Sequence, residues 1–165
     1  MEDRITMIEE GLADVLKTIN TQTTLHGGYT FKNTVQAVNI DDEALVPEFP
    51  SITIEMDGGE RILSGEQHAF RNEVYYKLVC AVSLVEEEAS PRRAINKMMN
   101  SLLDDVKATL SDNYHLNDSC DVVDILRSSR HYNKSGDVMR AGNLIIFIRI
   151  TYSQSRLNPN RNCTV

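Results

Sequence analysis

One stretch limits the fold more than any other: Leu144-Ile145-Ile146-Phe147-Ile148-Arg149-Ile150-Thr151-Tyr152. β-Branched and aromatic residues dominate it, which favours a strand. From Leu144 to Ile148 both alternating faces are apolar, so the strand is expected to be buried on both sides. It needs long partners, and residues 72–85 offer one. Val74, Tyr76, Leu78, Cys80, Val82 and Leu84 share one parity, while Tyr75, Lys77, Val79, Ala81, Ser83 and Val85 form the other, only half polar. A period of two over that length predicts a strand that is central in part and projects beyond the sheet at one end.

Helices flank these strands in sequence. Ile5, Ile8, Leu12, Val15, Leu16 and Ile19 recur at three- and four-residue spacing, opposite Glu9, Glu10, Asp14 and Lys17. Ser90-Pro91 reads as an N-cap followed by a first-turn proline. Behind it, Ile95, Met98, Met99, Leu102, Leu103, Val106 and Leu110 form an apolar stripe, with both methionines expected in the core. Further strands are predicted at 34–40, at 51–56 where Ile52, Ile54 and Met56 alternate with Thr53 and Glu55, and around 122–126. Gly58-Gly59 opens a polar segment read as a projecting loop to about Arg71, and Ser135-Gly136-Asp137 as a turn. After Tyr152 the polar tail 153–165 is expected to be disordered. The order predicts an α+β fold: a mixed, mainly antiparallel β-sheet with two main helices packed on one face. Residues 1–152 are read as a single domain, which the length of 165 residues supports.

With 41% hydrophobic and 25% charged residues, the composition is that of an ordinary globular protein. No apolar run approaches the ~20 residues of a membrane span. The acidic start Met1-Glu2-Asp3-Arg4 does not resemble a signal peptide. Three cysteines, Cys80, Cys120 and Cys163, form no CxxC pair, so neither a disulfide framework nor a structural zinc site is expected, and a reducing compartment is. Charge is divided unevenly. Residues 1–126 hold 10 basic and 23 acidic side chains, whereas 127–165 hold seven basic ones and only Asp137. Arg127, Arg130, Lys134 and Arg140 belong to that basic part, a candidate subunit junction or DNA-facing contact. A two-signed molecule of this kind suits a head-to-tail assembly.

Catalytic motifs are absent. The four histidines, His26, His68, His115 and His131, show no metal-ligand spacing, and neither Gly-Gly pair belongs to a phosphate-binding loop. No GxSxG elbow occurs. The dense carboxylates Asp41-Asp42-Glu43, Glu86-Glu87-Glu88 and Asp104-Asp105 are adjacent residues in loops or on helix faces, read as solvated runs rather than paired acid and base. No enzyme, metal or cofactor is expected. Arg61, Ile62, Leu63, Phe70 and Arg71 are candidate docking residues, because apolar and arginine side chains in a loop make good anchors. Tyr75 joins them from the less apolar parity of the long strand.

The set made of the helix Ile5–Ile19, the Pro-led strand Phe49-Pro50-Ser51-Ile52-Thr53-Ile54, the long strand 71–85 running through acidic residues into the Ser-Pro-started helix, and the hairpin ending in Gly142–Tyr152 resembles the tail terminator proteins of long-tailed bacteriophages. The resemblance spans residues 5–152. It implies a small, non-enzymatic virion protein of the tail or neck, assembled in the host cytoplasm as a homo-oligomeric ring, expected to be a hexamer. Its implied partners are the tail tube protein, the head-tail connector and neck proteins, the sheath where the tail contracts, and genomic DNA passing through the lumen. No membrane partner is implied. The alternatives are a neck or head-completion adaptor, built on a similar frame, and a small enzyme with a dispersed site drawn from Asp124, His131 and Arg149.

Overall fold

In the computed structural model the two strands marked most strongly by sequence lie side by side at the centre of one sheet. The structure describes residues 3–42, 48–65, 69–135 and 138–155. In chain order the elements are α1 (Arg4–Lys17), β1 (Ala37–Ile40), β2 (Ser51–Met56), β3 (Arg61–Gly65), β4 (Ala69–Ser83), α2 (Pro91–Asp112), β5 (Val122–Ser135) and β6 (Val138–Ser155). The sheet order is β1-β2-β4-β6-β5, with β3 also paired to β4. β1 runs parallel to β2 and every other pairing is antiparallel, so the fold is α+β with a mixed sheet.

The long pair β4/β6 stays in register over fifteen steps, from Ala69↔Ser155 to Ser83↔Ala141. Its alternation decides the layering. Val74, Tyr76, Leu78, Cys80 and Val82 of β4, with Leu144, Ile146, Ile148, Ile150 and Tyr152 of β6, are buried under the helices. α1 supplies Ile8, Leu12, Val15 and Leu16, and α2 supplies Ile95, Met99, Leu102, Val106 and Leu110. α2 lies so close to β6 that a Cβ on Gly142 would fall 2.3 Å from Met99 Cε and 2.8 Å from the His131 carbonyl oxygen.

Local chemistry fixes the helix ends and the crossings. Asp3 caps α1: one carboxylate oxygen accepts from the Thr6 amide and the other from its hydroxyl, both at 2.9 Å. These bonds lower the Asp3 pKa. The connection after α1 is tied to α2 through Asp105, which is fully buried. Its carboxylate accepts from the Tyr29 hydroxyl (2.8 Å), the Lys32 amide (2.9 Å), and the Asn33 amide and side-chain amide (2.8 Å each). Four donors make this buried carboxylate a well-satisfied anchor.

Several expectations need correction. Residues 58–71 are not a loop throughout: β3 pairs antiparallel with the start of β4, with an irregularity between Ile62 and Ser64. The alternation there was hidden because its apolar residues face solvent. Only 37–40 of the predicted first strand pairs. Ser90 precedes α2 but its side chain makes no capping hydrogen bond. β5 is far longer than 122–126, and the tail is ordered as strand through Ser155. Cys80 and Cys120 are buried, each thiol pushed up to about 12 by desolvation. His68, Cys163, turn residues 136–137 and tail residues 156–165 lie outside the described residues.

Candidate interaction surface

The helices pack on one face of the sheet, and the other face is left partly exposed. Along β6 the burial alternates strictly from Ala141 to Ile150, so Asn143, Ile145, Phe147 and Arg149 are half-buried on the open face. Val79, Ala81, Lys77 and Tyr75 of β4 stand beside them in register. Ile145 and Phe147 were expected to be buried. That inference holds for strands covered on both sides, and an antiparallel sheet with helices on one side leaves its second face to water or to a partner.

Register divides this face into rows. One row crosses from Thr53 through Val79 and Ile145 to Ser129, and a second from Glu55 through Lys77 and Phe147 to Arg127. The first is an apolar strip with hydroxyls at its ends. In the second, Lys77 Nζ lies 3.1 Å from Glu55 Oε2, and the Arg127 guanidinium sits 3.7 Å above the centre of the Phe147 ring. Such stacking covers part of the ring while leaving the charge in solvent. A third row carries Tyr75, Arg149 and Asp124, with Arg149 Nη2 at 2.9 Å from Asp124 Oδ2. That hydrogen bond raises the Arg149 pKa. Tyr75 donates to Glu73 Oε1 at 2.8 Å, which raises the phenol's pKa.

The docking residues expected from sequence fall into one corner. Arg61, Ile62 and Leu63 are exposed on β3, and Phe70, Arg71 and Tyr75 follow on β4. Pairing gives them different faces. Arg61 stands opposite Glu73, and Arg71 opposite Ser153, on the open side with Tyr75. Ile62, 65% exposed, stands opposite Asn72, and Phe70 opposite Gln154, on the other side.

The basic residues do not form a single patch. Arg127 faces the open side, whereas Arg130 reaches the helix side and donates to Asn100 Oδ1 at 2.7 Å. Lys134 is exposed farther along β5, and Arg140 lies 3.8 Å from Glu87 at the far end of the sheet. Beside Arg140 lies a hollow of about 480 Å³, lined in part by Leu84, Pro91, Met139 and the wholly exposed Val85. The dispersed enzymatic constellation does not converge. Asp124 meets Arg149, but His131 pairs with Asn143, six residues farther along β6 and roughly 20 Å away at strand rise.

Phe147, Ile145 and Val79 are the surface residues that the sequence reading missed. Their signal was present in the half-polar second parity of 72–85, which distinguishes a partly covered strand from a fully buried one. Among the described residues no group of three or more His, Cys, Asp or Glu side chains is placed to hold a metal ion. Among them, too, no helix is long and apolar enough to cross a membrane. Neither any family model nor any curated protein matches the chain.

Proposed function

We propose that this chain is a ring-forming structural protein of a phage virion: a tail terminator that caps the tail tube, stops its polymerisation and offers the joining surface to the head-side connector. DNA passes through the ring. The observation that carries this reading is the partly exposed sheet face, with its apolar strip Val79–Ile145 and stacked Phe147. A face of this kind suits contact with other protein subunits. The hollow beside Val85 is a second, chemically different surface at the end of the sheet, as a protein joining two unlike structures requires. Termination then works by geometry. A closed ring ends growth in its plane, and an outer surface without the tube's docking features ends growth along the axis.

The test is incubation of the purified protein with assembled tail tubes and, separately, with isolated connector. Terminator activity predicts that it caps tube ends and halts their elongation. Binding to connector alone would favour the neck adaptor. Binding to neither, together with a monomeric mass at every concentration, would overturn the reading.

A further inference from the structure

We propose that the two opposite edges of the sheet are the two halves of one junction between copies of this chain, with β5 of one copy meeting the β1 corner of the next. The inference rests on the ring reading and specifies which surfaces close the ring.

Among the described residues each edge carries charge without an ion-pair partner. On the β5 side Arg127 is stacked on Phe147, Arg130 donates to the neutral side-chain amide of Asn100, and Lys134 is exposed. No ion pair among the described residues involves any of the three. On the β1 side Asp41 and Asp42 follow the strand, Asp57 follows β2, and all three are exposed. Again none takes part in an ion pair among the described residues. Glu9 adds to the crowding: its pKa is raised chiefly by burial, and Asp41 contributes further. Two charge sets of opposite sign at opposite ends of one sheet are too far apart to satisfy each other within a monomer. A neighbouring copy brings them together.

Register also places part of each set at matching height. The row beginning at Ala37 runs through Ser51, Ala81 and Asn143 to His131, and the row beginning at Ile40 runs through Ile54, Leu78 and Ile146 to Ser128. β1 therefore spans the level of Ser128–His131, with Arg130 inside that window. Asp41, at positive φ, turns the chain just beyond Ile40, whose row ends at Ser128 next to Arg127. Copies joined at equal height have no systematic rise, which favours a closed ring over an open helix.

The contact is made by side chains rather than by a continued ladder. Among the described residues β5 pairs on one side with β6, and its other edge is irregular between Ile125 and Arg127, where Leu126 is 47% exposed. Such irregularities together with edge charges discourage indiscriminate strand addition. Leu126 supplies an apolar contact next to Arg127, and the charges set direction and partner.

The experiment uses two charge-reversed full-length variants, Arg127→Glu/Arg130→Glu and Asp42→Lys/Asp57→Lys, each checked for folding by circular dichroism. Wild type is expected to form an oligomer that dissociates as salt is raised. Each variant alone, carrying like charge on both edges, is expected to associate at least about tenfold more weakly. Mixed in equal amounts, they are expected to recover a ring of strictly alternating composition and even subunit number, read by native mass spectrometry with one variant isotope-labelled. A wild-type ring that neither variant weakens would remove these edges while leaving the ring reading intact. Folded variants that weaken alone but fail to assemble when mixed would also overturn the pairing. A wild-type monomer under all conditions would remove both the junction and the ring.

Discussion

The two faces of the central strands are built from almost the same residue types and serve different ends. On β6, Ile146 and Ile148 lie on the helix side with no solvent exposure, while Ile145 and Phe147, their immediate neighbours, are half open. On β4 the same division separates Leu78 and Cys80 from Lys77 and Val79. What differs is the partner: helices of the same chain cover one face, and the other is available to a different molecule. Stability should therefore reside on the helix side and assembly on the open side.

The sharpest way to break this comparison is on the covered side. Asp105→Ala leaves four donors without their acceptor, and we expect it to cost about 3–5 kcal/mol in urea unfolding, the largest effect of any single change here. A loss no greater than that of a surface carboxylate would show that the segment from Tyr29 to Asn33 is not anchored as described. Gly142→Ala comes next. The added methyl meets Met99 and the His131 carbonyl, and a loss of about 1–3 kcal/mol should appear as a lower denaturation midpoint.

On the open face the balance reverses. Val79→Thr combined with Ile145→Thr retains β-branching and is expected to change stability by less than about 1 kcal/mol. It should nevertheless reduce binding to tail tubes or connector. A melting loss on the scale of a core truncation would mean that the face is closed after all. The smallest effect concerns acid. The folded-state pKa of Asp3 is depressed, so its contribution to α1 is present above the ordinary carboxylate value of 3.8 and is lost as pH falls through the lower folded value. Amide exchange in the first turn of α1 should accelerate over that window, and Asp3→Asn should flatten the dependence.

The sheet's centre and both helices were legible because their apolar periods run for many residues without interruption. The rest was obscured for local reasons. β3 has Ile62 and Leu63 facing solvent, so no apolar alternation marks it. β1 is four residues long, and its pairing with β2 is set by tertiary contact rather than by pattern. The Asp105 anchor joins residues more than seventy positions apart, and adjacent aspartates in a helix read as a solvated pair, although Asp104 is exposed and Asp105 is not. For the candidate surface, sequence located the basic stretch and the corner of Arg61 to Tyr75, but not which face each side chain would occupy.

That last point turns on a single extra residue. Before the irregularity at Leu126, Val123 and Ile125 stand opposite Ile150 and Ile148 on the helix side; beyond it, Ser128, Arg130 and Tyr132 take that side, and Arg127 faces out over Phe147. Odd positions serve the interior in the first part of β5 and even positions in the second. Leu126 thus acts as a phase shift in the side-chain alternation. Removing it would leave a regular ladder in which Arg127 still faces out over Phe147 and Tyr132, whose hydroxyl donates to Asn96 of α2, still faces in. An unbulged strand that kept every residue would instead carry Tyr132 outside and swing Arg127 inward. The bulge is what lets β5 carry one residue more than the matching stretch of β6 without exchanging the chemistry of its two faces along half a strand.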